Sequence, residues 1–272
     1  MTDDSSAPGQ RPSGIDASVP HSARIWNYWL GGKDNYPVDR EAGDQFSQVF
    51  PNIVAVTRAS RAFLTRAVEY LARDAQIQQF LDIGTGLPTA DNTHEVAQRV
   101  APASRIVYVD NDPVVLAHAR ALLTSTGEGR TAYIDADLHD PDKILEGAAQ
   151  TLDFTQPVAL MLMGILGHVI DDDEARSIAK RLLDALPSGS YLALYDGTDT
   201  DKAGVEAQEE YNKSGADPYR LRSPEQIAGF FDGLDLVEPG VVSPPQWRPD
   251  PAAPNVDLPM EVDAVGGMGR KP

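Results

Sequence analysis

The chain has 272 residues and no cysteine, with 23 Lys and Arg against 41 Asp and Glu and a formal net charge of −18. The lack of cysteine excludes disulfides, thiolate metal sites and cysteine nucleophiles, and the acidity argues against nucleic acid as a partner, because duplex binding rests on phosphate neutralisation by Lys and Arg. This length buries one large core, no apolar run approaches the roughly 20 residues of a membrane span, and the polar, acidic start Met1–Ser6 is no secretory signal, so a cytoplasmic protein is expected.

Residues 1–20, rich in Ser, Pro, Gly and Asp, read as a disordered tail. Trp26, Tyr28, Trp29 and Leu30 lead into Gly31-Gly32, a helix with a glycine stop. A second helix starts near Val38. A third covers Ala55–Arg73, where Phe63, Leu64, Ala67, Val68 and Leu71 recur at helical spacing. Residues 21–75 therefore read as a helical cap, and 76–272 as a second region in which strands alternate with helices. Strands are predicted at Phe80–Ile83, Ile106–Val109, Ala132–Ile134, Val158–Met163 and Tyr191–Tyr195. Asp112-Pro113 and Asp140-Pro141 each place a cap before a first-turn proline. Asp171 with Glu174, and Ser223 with Gln226, resemble capping boxes. Short apolar strands alternating with helices imply a parallel sheet covered on both faces. Leu234–Gly240 reads as a strand ending in a turn, and Glu261–Val265 as a last strand followed by Gly266-Gly267. These two are expected as antiparallel neighbours at one edge.

Ligands of such sheets bind at the carboxyl ends of strands. Phe80–Thr89 holds a strand, an acid and the turn Gly84-Thr85-Gly86, through which backbone amides can approach a ligand. Asp82 either ties that turn together or gives the site a preference for a cation. Asp110, ending the second strand, is placed to accept both hydroxyls of a ribose, unless it serves as a helix cap. Asp137, with Asp135 as a competitor, is placed to accept an adenine amine, with Leu138 against the ring. The third glycine of the dinucleotide fingerprint is Thr89, preceded by Pro88, which leaves a nicotinamide-dependent oxidoreductase a distant alternative. A cationic adenosine cofactor without phosphate, S-adenosylmethionine, suits all of these features.

Phe80–Thr89 resembles motif I of class I methyltransferases, and Val107–Asp110 resembles the acidic motif that follows it. The segments His21–Tyr36, Gly86–Ala97, Tyr108–Val115, Phe230–Leu234 and Gly269–Pro272 are similar to a bacterial family of S-adenosylmethionine-dependent methyltransferases, formerly a domain of unknown function. The resemblance runs from about residue 20 to the end. It implies an α/β, Rossmann-like class I methyltransferase fold: a seven-stranded, mostly parallel sheet with an antiparallel edge strand, helices on both faces and an N-terminal helical cap. It implies a cofactor site of Asp82, Gly84, Thr85, Gly86, Asp110, Asn111, Asp137, Leu138 and Gly164. The chain departs from the family at Tyr195-Asp196, where Ser-His is usual, and at Ser60-Arg61, where Asn-Arg is usual. A non-catalytic protein that binds the same cofactor as a sensor or partner is the second reading.

His168, in the segment after the fourth strand, is the best-placed base; its alternative is a histidine packed at the start of the next helix. Asp196 is a weaker candidate in the acceptor region. Trp26, Tyr28 and Trp29 can wall an apolar acceptor pocket or simply pack the cap. Arg24, Arg58 and Arg61 are candidates to capture a carboxylate. The five histidines show no metal-ligand spacing, so no metal is expected. The expected partner is a small-molecule acceptor with an oxygen or nitrogen nucleophile, neither nucleic acid nor a membrane.

Overall fold

A computed structural model describes residues 18–122, 127–249 and 259–272 of the chain. The tail expected at 1–20 falls almost wholly outside them. Three helices come first: α1 (Ser22–Trp29), α2 (Pro37–Val49) and α3 (Ile53–Arg73). α1 stops where the sequence places its stop, with Gly31 at φ +81°, a left-handed conformation that glycine adopts at little cost.

Seven strands form one sheet: β1 (Gln79–Ile83), β2 (Arg105–Asp110), β3 (Arg130–Asp135), β4 (Ala159–Met163), β5 (Tyr191–Gly197), β6 (Asp235–Leu236) and β7 (Ala264–Arg270). Their order is β3-β2-β1-β4-β5-β7-β6. β1 to β5 pair in parallel, and β7 runs antiparallel to both β5 and the short β6. The chain reverses its direction across the sheet between β1 and β4, the switch point where doubly wound sheets bind ligands. The last strand differs from the sequence reading. It takes in Gly266 and Gly267 instead of stopping before them, and pairs Gly266 with Tyr195. The close fit explains the glycine: a Cβ on Gly267 would lie 2.9 Å from the Gly240 carbonyl oxygen.

The helices between strands are α4 (Thr93–Val100), α5 (Pro113–Leu122), α6 (Pro141–Ala148) and α7 (Asp172–Asp184), with α8 (Lys202–Tyr211) and α9 (Pro224–Ala228) after β5. Alternation along the strands sends Leu81, Ile83, Val107 and Leu160 into the core that α6 and α7 cover. Phe80, Ile106, Met161 and Ala193 face the opposite core, which α3 and α4 cover. Phe63, Ala67, Val68 and Leu71 of α3 are fully buried there, each stabilising by roughly 1–3 kcal/mol through apolar burial. α3 is thus one of the sheet's covering helices. α1 and α2 join α8 in a smaller cluster around Ile25, Trp29, Phe46 and Phe50.

Candidate functional site

A cavity of about 810 Å³ opens where β1, β2 and β4 end, and α1 and α3 contribute to its wall. The turn after β1 carries two left-handed glycines, Gly84 at φ +73° and Gly86 at φ +62°. A Cβ on Gly84 would strike Ile165 at 2.5 Å, whereas Gly86 has open space around it. Asp110 ties the turn down: its Oδ2 accepts the Gly86 amide at 2.9 Å and its Oδ1 accepts the Asp112 amide at 3.0 Å. Burial raises the Asp110 pKa, against the pull of those two amides. A carboxylate oxygen takes about two donors, so one acceptor position per oxygen remains for a ligand diol.

Asp82 points to the α3–α4 face. It accepts the Thr93 hydroxyl at 2.6 Å. Burial pushes its carboxyl up to about 6, with Thr93 and Arg61 acting against that rise. Arg61 of α3 lines the same cavity. One guanidinium nitrogen donates to the Ala90 and Asp91 carbonyls and to Asn92 Oδ1, each at 3.2 Å. Its Nε is buried with no hydrogen-bond partner, an arrangement that costs about 1–3 kcal/mol until a ligand acceptor arrives. Burial also lowers the Arg61 pKa. A carboxylate for Arg61 and an ammonium for Asp82 together describe an amino-acid end group. The residues therefore fit S-adenosylmethionine.

Asp137 stands at the cavity wall beside Asn111, whose Nδ2 donates to Asp137 Oδ2 at 3.2 Å. The His139 amide donates to Asp137 Oδ1 at 2.9 Å, and the His139 ring nitrogen lies 2.7 Å from the same oxygen. Burial alone would raise the Asp137 pKa, but the bonds from His139 and Asn111 prevail and hold it below the ordinary value. Asp135, its competitor, is not on the wall. Leu138 is, together with Thr85 and Gly164. Leu138 is 7% exposed and anchored in the hydrophobic core.

His168 closes a 3-10 turn, Leu166–His168. Its Nδ1 lies 3.0 Å from the Pro218 carbonyl oxygen. A carbonyl only accepts, so Nδ1 carries the proton and Nε2 of the neutral ring keeps its lone pair. Burial lowers the His168 pKa, which keeps the ring neutral at physiological pH. Tyr219 stands edge-on to it, ring centres 5.1 Å apart. Trp26 also lines the cavity.

Three residues expected at the acceptor, Tyr28, Trp29 and Asp196, do not line this cavity; Trp29 packs against Phe46, ring centres 5.3 Å apart. Tyr28 turns to α2 and donates its hydroxyl to Asp44 at 2.7 Å. Asp196 lies inside β5, which runs two residues beyond the predicted end. Alternation therefore sends its side chain to the face opposite Tyr195, and it is 1% exposed. There it accepts the Tyr219 hydroxyl. Burial raises its carboxyl to about 6, against the Tyr219 hydrogen bond and the Arg222 charge. Arg24 is engaged with Asp39 and the Val19 carbonyl. Arg58 is exposed and off the wall. The segment Asp217-Pro218-Tyr219-Arg220, which carries no motif, supplies contacts that sequence reasoning missed.

A family model described as S-adenosyl methyltransferase matches residues 8–272. The chain belongs to the S-adenosyl methyltransferase family. It is an S-adenosylmethionine-dependent enzyme, which sets the nicotinamide reading aside. The methyltransferase is similar to a solved DUF574 family protein from Streptomyces avermitilis: 48% identity over 94% of this chain and 99% of that one, with a TM-score of 0.90. A Thermobifida fusca protein with a provisional methyltransferase name is 40% identical, over 96% and 98% of the two chains, with a TM-score of 0.87. An O-methyltransferase family protein of Burkholderia thailandensis shares the fold at 15% identity and a TM-score of 0.51, over 90% of this chain and 63% of that one. No relative among proteins of curated function matches the chain.

Proposed function

We propose that this methyltransferase transfers its methyl group to the oxygen or nitrogen of a small molecule, with His168 as general base. The observation that carries the reading is His168 itself: a neutral ring with a free Nε2, on the wall of the cleft. When bound, S-adenosylmethionine supplies a methyl carbon made electrophilic by the sulfonium.

The chain's own residues do the rest. Asp82 and Arg61 hold the ammonium and carboxylate, and Asp110 holds the ribose hydroxyls against the Gly86 turn. Asn111, Asp137 and Leu138 take the adenine. Gly164 gives the chain a left-handed bend after β4, φ +72°, beside Tyr195. His168 Nε2 removes the proton from the acceptor as its nucleophile approaches the methyl carbon. Trp26 and α1 cover the site and limit water there. Positioning can supply much of the rate.

The test is incubation of the protein with methyl-labelled donor and a complete cell extract, followed by separation by size. Label in the small-molecule fraction, lost with His168→Ala, supports the reading. Label confined to protein or nucleic acid, or none in any fraction, overturns it.

A further inference from the structure

A second, smaller cavity of about 90 Å³ adjoins the cleft. Ser22, Trp26, His168 and Tyr195 line both. Its inner wall is apolar and half aromatic, made by Ile25, Trp29, Phe46, Phe50, Ile53 and Val56. Trp29 and Phe46 are in contact, ring centres 5.3 Å apart. Gly204 and Tyr211 of α8 close the other side, and Leu221 adds a further apolar contact. No Lys or Arg is among the described residues that line it, and its one carboxylate is Asp263.

We infer that this inner cavity seats the acceptor, and that the acceptor is an uncharged aromatic hydroxyl compound. The inference rests on the reading of His168 as base. At about 90 Å³ the space is smaller than the apolar cavities of about 150 Å³ that take up benzene, so it takes no more than a single ring, whose hydroxyl end lies out in the adjoining cleft. Aromatic walls favour a flat guest through edge and offset contacts. A carboxylate or phosphate on the guest would be buried with no cation to meet it. His168 stands at the junction, so the hydroxyl lies toward the cofactor cleft and the ring lies inward. In the transfer the hydroxyl oxygen gives its proton to His168 Nε2 and bonds to the methyl carbon. The carbon–sulfur bond of S-adenosylmethionine breaks, and its electron pair stays with sulfur and cancels the sulfonium charge.

The experiment uses the full chain, with and without S-adenosylhomocysteine, titrated with p-cresol, 4-methylbenzoate and toluene and followed by tryptophan fluorescence. Trp26 and Trp29 line the cavity. The expected p-cresol Kd is on the order of 1 mM, with 4-methylbenzoate weaker by at least roughly tenfold. The preference for p-cresol over toluene disappears in His168→Ala. Gly204→Leu adds bulk on the α8 side of the cavity, where a Cβ alone would meet Phe50 at an ordinary 3.6 Å. That variant loses p-cresol binding while retaining S-adenosylhomocysteine binding, and Val56→Phe repeats the test from the opposite wall. Equal binding of 4-methylbenzoate, no p-cresol binding, or p-cresol binding unchanged in both filled variants overturns the inference. Cavity binding of p-cresol together with transfer of label only to macromolecules overturns the small-molecule reading and leaves the cavity's ligand class standing.

Discussion

Asp110 Oδ2 accepts the Gly86 amide at 2.9 Å, so the acid ending β2 and the glycine turn after β1 form one unit. A change at Asp110 is therefore expected to act twice, on the proposed ligand contact and on the loop it ties down. Asp110→Ala is expected to weaken S-adenosylhomocysteine binding by roughly 10–100-fold in calorimetry. It also strands the Gly86 and Asp112 amides, which lowers stability by about 1–3 kcal/mol. Asp110→Asn keeps an acceptor and should lose less on both counts. Unchanged affinity in the alanine variant would remove Asp110 from the site.

Asp82 should make cofactor binding depend on pH. Its carboxyl titrates at about 6 because of burial, and a bound ammonium favours the ionised form. Affinity for S-adenosylhomocysteine is expected to fall as pH drops through 6, with proton release on binding near that pH. Calorimetry in buffers of different ionisation heat measures this release. Asp82→Asn should bind more weakly and show a flat profile between about pH 5 and pH 7.

Asp196 affects stability rather than the cofactor. Its folded carboxyl lies at about 6 against an ordinary 3.8, raised by burial. A carboxyl raised on folding contributes stability that is present below 3.8 and lost as pH rises through about 6. Asp196→Asn removes that loss and can still accept the Tyr219 hydroxyl. The variant should match the wild type near pH 4 and gain up to about 3 kcal/mol above about pH 7. Denaturant unfolding at the two pH values checks the sign, and a variant less stable at the higher pH contradicts it.

His168 should appear in the rate. His168→Ala is expected to lower kcat by about 10²–10⁴ with little change in S-adenosylhomocysteine affinity. Burial holds the ring's pKa below 6.5, so the acid limb of the wild-type kcat profile should lie below that value and vanish in the variant. A variant that keeps the limb would assign it to another group.

Where motif and strand end coincide, the sequence reading needed little else. Gly84, Gly86 and Asp110 are legible because a glycine turn after an apolar strand and an acid at the end of the next are local patterns. The Gly31 stop and the Ser223–Gln226 capping box were legible for the same reason. The sequence shows no clear signal for α8: Glu206, Gln208, Glu209 and Glu210 leave it with a narrow apolar side, and the helix is held by burying Gly204 and Ala207 against α1 and α2. The last strand was cut short at Val265 because glycine in sequence signals a turn. In the fold the glycines let β7 lie close to β5 and to Gly240.

The sequence by itself determined the doubly wound sheet and the acids at its strand ends, since both follow from short-range periodicity and from which residues tolerate a tight turn. Only the tertiary structure decided the neighbours of those acids. Arg61 reaches the region of Asp82 because α3 packs its buried side onto the sheet. Asp196 leaves the cavity because pairing with β7 carries β5 two residues further, and each residue of a strand faces away from the last. His168 acquires its tautomer from Pro218, fifty residues away. Such pairings depend on how separate elements pack, and no local pattern in the chain encodes them.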